Sequence, residues 1–203
     1  MAEYDVVVLG AGNAGLAAAG AARAAGRSVL VVEERDAGGV CPLRGCVPKK
    51  VLVAAAQTLD AIARAGTHHI DVGAPVLDWA RLIQRERTFV DGVPEEIEKS
   101  LVRRGIALQR GRARFTGRRE IDVCGERHTA RKIVVATGST PRSLPIPGAE
   151  HLVTSDELLE LAALPESVAF VGAGVIAFEF AHVLARAGAR VTLLEIAPRV
   201  LPS

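Results

Sequence analysis

A chain of 203 residues that is 49% hydrophobic and 24% charged has a globular composition, which excludes a mainly disordered protein. Aromatic residues are only 3%, so the core must be built from Ala, Val, Leu and Ile, a palette suited to helices packed on a parallel sheet. The 25 basic and 23 acidic residues leave a net charge of +2 with no basic tract, and no apolar run approaches the roughly 20 residues of a membrane-spanning helix, so neither nucleic acid nor membrane is an expected partner.

Residues 6–9 form a short apolar run that stops at Gly10, which predicts a buried parallel strand. An Ala-rich helix is expected over residues 14–25, ending at Gly26, and a second buried strand over 29–32, closed by Glu33. This is a βαβ unit. Pro48 suits the first turn of the next helix, whose apolar positions Leu52, Ala55, Leu59 and Ile62 recur at helical spacing until Gly66. A helical region follows over about 79–104, interrupted near Gly92 and Pro94. Alternation over 106–136, broken by Gly111, Gly117 and Gly125, predicts a small antiparallel meander leading into a buried strand at 133–136.

Pro141, Pro145, Pro147 and Gly148 mark a connection, and a short helix is expected over about 156–163. The opening pattern then returns: strand 168–171, glycine turn, helix to Ala187, strand 191–194 and the acid Glu195. Gly10 and Gly26 are 16 residues apart, as are Gly172 and Gly188; Gly10 to Glu33 and Gly172 to Glu195 both span 23. The chain therefore carries two dinucleotide-binding openings, and its expected domains are residues 1–150 and 151–203.

Gly10-Ala-Gly12-Asn-Ala14-Gly15 satisfies G-x-G-x-x-G between a strand and a helix. Gly10 permits the tight turn, Gly12 lets a pyrophosphate approach the backbone, and Gly15 lets the helix sit close on the strand. Glu33 stands where an acid can hold a ribose hydroxyl pair. In the second motif, Gly172-Ala-Gly174-Val-Ile-Ala177, alanine replaces the third glycine, and Glu195 would bind a ribose 2′-OH while repelling a 2′-phosphate. NAD(H) is thus favoured over NADP(H).

Between these motifs lies Gly38-Gly39-Val40-Cys41-Pro-Leu-Arg-Gly45-Cys46-Val-Pro48-Lys49-Lys50. Two thiols at this spacing, bent by Gly45 at the entry to a helix, can come within disulfide reach, and the helix N-terminus with Lys49 or Lys50 would favour a thiolate. Cys124 and the five histidines show no companion spacing for a structural zinc site. The opening Met1-Ala-Glu-Tyr-Asp has no basic region of a signal peptide, so a cytoplasmic location is expected. In that reducing compartment paired cysteines indicate redox chemistry.

The order of these motifs, together with Ala136-Thr137-Gly138, resembles the class I pyridine nucleotide-disulfide oxidoreductases, the group of glutathione reductase, dihydrolipoamide dehydrogenase and mercuric reductase. The resemblance covers essentially the whole chain. It implies an α/β fold: a Rossmann-like FAD-binding domain with a small antiparallel meander, then the first βαβ of a second, NAD(P)-binding domain. It implies FAD at the first motif, contacted also by Gly39, Val40, Ala136, Thr137 and Gly138, and a nicotinamide dinucleotide at Gly172, Gly174, Ala177 and Glu195. Cys46 would lie against the flavin as the charge-transfer thiolate, and Cys41 would be the interchange thiol. Lys49 or Lys50 would sit near the flavin, with Glu179 as the lysine's partner.

Pro42, Leu43 and Val175 depart from the family pattern, Val175 standing where many relatives have a tyrosine that shields the flavin. None of His68, His69, His128, His151 or His182 matches the family's acid/base histidine motif. A complete relative continues beyond Ser203 through a dimerisation domain, so the chain is expected to be a fragment with little activity alone, from a homodimer. The expected substrate is a small disulfide or dithiol, with metal-ion reduction, or nucleotide binding without turnover, as alternatives.

Overall fold

The computed structural model describes residues 2–201; Met1, Pro202 and Ser203, with the outer ends of the two expected domains, lie outside the described residues. Packing divides the chain into two compact units, residues 1–43 with 90–145 and residues 44–89 with 146–203. This division differs from the motif-based one at 150/151 because the helices of 44–89 share a core with the second glycine motif.

In the first unit, β1 (Ala2–Leu9), α1 (Asn13–Ala24) and β2 (Val29–Glu33) form the expected βαβ unit. The last residue of α2 (Val40–Arg44), described below with the site, already belongs to the second unit. One sheet has the order β3-β2-β1-β6-β5-β4, where β3 is Ala107–Arg110, β4 Ala113–Gly117, β5 Glu120–Val123 and β6 Glu126–Val135. β1 runs parallel to both β2 and β6, while β4, β5 and β6 make an antiparallel meander. The sheet is mostly parallel and Rossmann-like.

Two sequence expectations need correcting here. β3 is not part of the antiparallel meander; it pairs in parallel with β2, Leu30 opposite Ala107. The strand expected at 133–136 is the end of a ten-residue strand and is not buried: Ile133 and Val134 are half-buried and Val135 is 63% exposed. β5 lies alongside β6 only at 126–129, so the later residues have a ladder neighbour on the β1 side alone among the described residues.

Residues Val29 to Val32 of β2 are buried, as a central parallel strand requires. Val8, Val29 and Val31 meet Ala19 of α1 and Leu101 of α5 (Val93–Arg103) on one face. Val7, Leu9, Leu30 and Val32 meet Ile121 and Val123 on the other.

The second unit packs α3 (Cys46–Arg64), α4 (Trp79–Arg87), α6 (Ser155–Leu158) and α7 (Val175–Ala187) with the parallel pair β7 (Ser167–Val171) and β8 (Arg190–Leu194). Leu52, Trp79, Leu158, Phe180 and Leu184 are buried in one cluster, and the Trp79 indole N–H donates to the Leu161 carbonyl at 2.8 Å. α6 is a single turn, shorter than the helix expected over 156–163. Asp60 of α3 is paired with Arg186 of α7 at 2.6 Å. Among the described residues no helix is long and apolar enough to cross a membrane.

Candidate active site

At the end of β1 the chain turns through Gly10, whose φ of +104° favours glycine and whose missing Cβ would collide with the Ala136 carbonyl. Gly15, buried in the first turn of α1, would put a Cβ into the Gly10 carbonyl. Gly12 is the N-cap of α1 and is bridged to Gly38, while a Cβ on Gly39 would stand 2.7 Å from the Gly12 Cα. The two glycine segments therefore touch backbone to backbone, which brings together Gly10, Gly12, Gly15, Gly39 and Ala136.

Glu33 holds this loop. Its Oε2 accepts from the Ala11 N–H at 2.7 Å and its Oε1 from the Arg35 N–H at 2.7 Å. The second motif repeats the device: Glu195 Oε2 accepts from the Ala173 N–H at 2.8 Å and Oε1 from the Ala197 N–H at 2.9 Å. Sequence reasoning assigned both acids to a ribose and missed this bracing of the loop, although their identical offset from the first glycine was the signal for it. Each carboxylate oxygen keeps a lone pair for a further donor.

The amides of Ala197 and Ala173 hold the Glu195 carboxyl below the usual glutamate range. A carboxylate with a depressed folded-state pKa adds stability above its unfolded value and loses it as the pH falls through the folded one. Acid titration below about pH 4 should therefore release the 172–174 loop. The amide shifts of Ala173 and Ala197 should move together in that range and stay flat there in Glu195→Gln; parallel movement in the variant would count against the brace.

Among the described residues, three helices begin at a glycine N-cap with no side-chain cap and no acid in the first turn: α1 at Gly12, α3 at Gly45 and α7 at Gly174. By contrast, α4 is capped by Asp78, α6 by Thr154, and α5 carries Glu95 and Glu96 in its first turn. Uncapped N-termini keep unpaired N–H groups and partial positive charge for an anion. At α1 and α7 a dinucleotide pyrophosphate fits. At α3 the first residue is Cys46 itself.

Cys41 is half-buried on α2, and Cys46 is exposed at the start of α3; the boundary between the compact units falls between them, after Leu43. Lys49, in the first turn of α3, is ion-paired with Glu179 of α7. Lys50 is exposed, so the pairing distinguishes two lysines that the sequence left equivalent. Glu179 also lines an open, mostly apolar cleft with Val53, Val175, Phe178 and His182. Val40, Thr137 and Gly138 are exposed. Gly172 has a φ of +103°, and Gly172 and Gly174 have open space where a Cβ would stand, while Ala177 is half-buried. Sequence reasoning missed Arg44, whose Nε lies 3.4 Å from Asp156 Oδ2.

Two glycine-loop βαβ units with a dithiol segment between them define a class, and the comparison agrees: the chain belongs to the pyridine nucleotide-disulphide oxidoreductase family, whose profile matches residues 4–203. The dihydrolipoyl dehydrogenase of Chlamydia pneumoniae is 34% identical over 98% of this chain and 44% of its own length. The glutathione reductase of a Nostoc species is 33% identical over 98% of this chain and 43% of its own. Among solved structures, the Cu(II) complex of a Cys-to-Ser mutant of the HOCl-induced flavoprotein disulfide reductase RclA from Escherichia coli superposes with a TM-score of 0.85 at 30% identity, covering all of this chain and 44% of that one. The chain thus spans a little under half the length of these relatives.

Proposed function

We propose that this chain is the FAD-binding and dithiol-bearing part of an enzyme that moves electrons between NADH and a small disulfide or dithiol, with residues 1–150 holding FAD and 151–203 opening the NAD(H) domain. The Lys49–Glu179 pair carries this reading: it ties the helix that begins at Cys46 to the helix that begins at the second glycine loop. The enzyme would be a cytoplasmic homodimer. Glu195 supports NADH over NADPH, since a carboxylate at that strand end opposes a 2′-phosphate.

Bound FAD would supply two-electron exchange with the nicotinamide on one side and the sulfur pair on the other. Gly10, Gly12, Ala14 and Gly15 would present backbone N–H groups to its pyrophosphate, and Glu33 would take the ribose hydroxyls. Gly39, Val40, Lys49, Lys50, Ala136, Thr137 and Gly138 would complete its contacts. At the second loop, Gly172, Gly174 and Ala177 would admit the nicotinamide dinucleotide. The cleft at Val175 has no large ring at that position, so nicotinamide access would not need a gating side chain.

The Cys41 thiolate would attack one sulfur of the substrate disulfide, and the other would leave as a thiolate that takes a proton. The Cys46 thiolate would then attack the Cys41 sulfur, releasing the second substrate thiol and closing the Cys41–Cys46 disulfide. Two electrons and one proton reopen it as a thiolate and a thiol. The positive end of α3 favours the thiolate at Cys46, and the ion pair with Glu179 holds Lys49 in place.

A second reading, metal-ion reduction at the same cysteines, is favoured by the Cu(II) complex of the RclA neighbour. The test, made on the full-length enzyme that contains this chain, is FAD reconstitution followed by NADH oxidation with lipoamide, glutathione disulfide or Cu(II) as acceptor. Disulfide-dependent turnover, faster with NADH than NADPH, is expected. Turnover with Cu(II) alone would favour the second reading, and failure to bind FAD would contradict both.

A further inference from the structure

Residues 33–36 bend the chain from the end of β2 toward Gly38, and the end of β3 holds each of them. Glu33 and Arg110 are Cα partners in the ladder, and the Gly111 N–H donates to the Glu33 carbonyl at 2.8 Å. Arg112 Nε lies 3.9 Å from Glu34 Oε1. One arm of the Arg110 guanidinium donates to the Arg35 carbonyl and lies 3.7 Å from Asp36 Oδ1, while the other is ion-paired with Glu98 of α5.

These contacts run on to the first glycine loop. The Arg35 N–H donates to Glu33 Oε1, and Glu33 Oε2 accepts from the Ala11 N–H, both at 2.7 Å. Ala11 is buried, and its carbonyl accepts from the Gly38 N–H at 2.9 Å. Partly exposed ion pairs such as Arg110–Glu98 are screened by salt and contribute little one at a time. The Arg35 carbonyl adds a charge-assisted hydrogen bond, and the planar fork of an arginine reaches that carbonyl and Glu98 at once.

We propose that Arg110 is a positioning residue for the adenosine end of FAD: by clamping the bend at Arg35 it fixes the Glu33 carboxylate that takes the ribose hydroxyls. This rests on the reading of the first glycine loop as the FAD site. Arg110 acts through Arg35, whose carbonyl it holds and whose N–H orients Glu33. Without the clamp, Glu33 keeps its bonds to a bend that is free to move, and ordering that bend around the ribose then costs affinity.

The test uses the full-length enzyme that contains this chain, as apoenzyme, with FAD as the probe. Arg110→Gln should raise the FAD dissociation constant, read from the change in flavin fluorescence, about tenfold. Before FAD is added, it should also speed amide exchange of the peptide spanning 33–37 at least about fivefold. In a Glu33→Gln background the same change should cost less than about threefold, because the group that Arg110 positions has already been altered. Arg110→Lys keeps the charge but not the fork, so it should bind FAD more weakly than the unaltered protein. An unchanged dissociation constant in Arg110→Gln, unchanged exchange at 33–37, full affinity in Arg110→Lys, or a loss of the same size in Glu33→Gln would overturn the proposal; a contact that only supports the fold gives that last result. Failure of the unaltered apoenzyme to bind FAD removes the underlying reading and this proposal together, whereas FAD binding that Arg110→Gln leaves unchanged removes the proposal alone.

Discussion

In the full-length enzyme that contains this chain, Cys46→Ser should lower disulfide-dependent NADH oxidation at least about a thousandfold, the scale on which a catalytic nucleophile acts with its partners as a unit. Cys41→Ser should be equally inactive, but the two variants should differ in spectrum. With Cys41 removed, Cys46 remains at the uncapped start of α3, and the FAD-loaded protein should show long-wavelength thiolate-to-flavin absorbance without any reductant. Cys46→Ser should show none, even after reduction. Stopped-flow spectra and steady-state rates check both. Interchangeable spectra would reverse or remove the division of labour between the two sulfurs.

The second large effect is on folding. Gly10→Ala and Gly172→Ala impose the same backbone strain, since the φ angles are +104° and +103°. Their surroundings differ: a Cβ at Gly10 enters the Ala136 carbonyl, and one at Gly172 meets nothing within 4 Å. Gly172→Ala should therefore cost about 1–2 kcal/mol of backbone strain. Gly10→Ala should cost about 2 kcal/mol more, because the overlap is with backbone and forces β1 and β6 apart. Amide hydrogen exchange at Val7 and Val31 for the first unit, and at Phe170 for the second, resolves the two. Equal losses would mean that the Ala136 crossing does not hold the Gly10 turn.

The glycine turns were legible in the sequence because their cause is local: a strand must end, the backbone must take a positive φ, and a helix must begin, all within six residues. The same holds for β2, whose uninterrupted Val-Leu-Val-Val run is what burial on both faces demands. β3 was misread because a half-exposed edge strand alternates in the same way whether its neighbour is parallel or antiparallel, and its partner β2 lies far upstream. The exposure of Val135 was hidden for a related reason: an apolar run announces a strand without saying how many neighbours flank it.

Partners across helices were less accessible still. An amphipathic stripe on α3 says that it packs, not that Leu52 meets Leu184 and Phe180 in one cluster. Adjacent lysines point to different sides of a helix, so only the packed phase of α3 selects Lys49 over Lys50 for Glu179. The Arg44–Asp156 pair joins residues with no motif in common. The braces from Glu33 and Glu195 were within reach, because two motifs with one spacing imply one geometry.

The electron count of the FAD-loaded protein tests the relay most directly. Anaerobic titration should take up four electrons per flavin, two into the ring and two into the sulfurs of Cys41 and Cys46, with the long-wavelength band rising during the first two and fading during the last. Uptake of only two electrons, with the flavin bleaching from the start and no such band, would show that these cysteines exchange nothing with it.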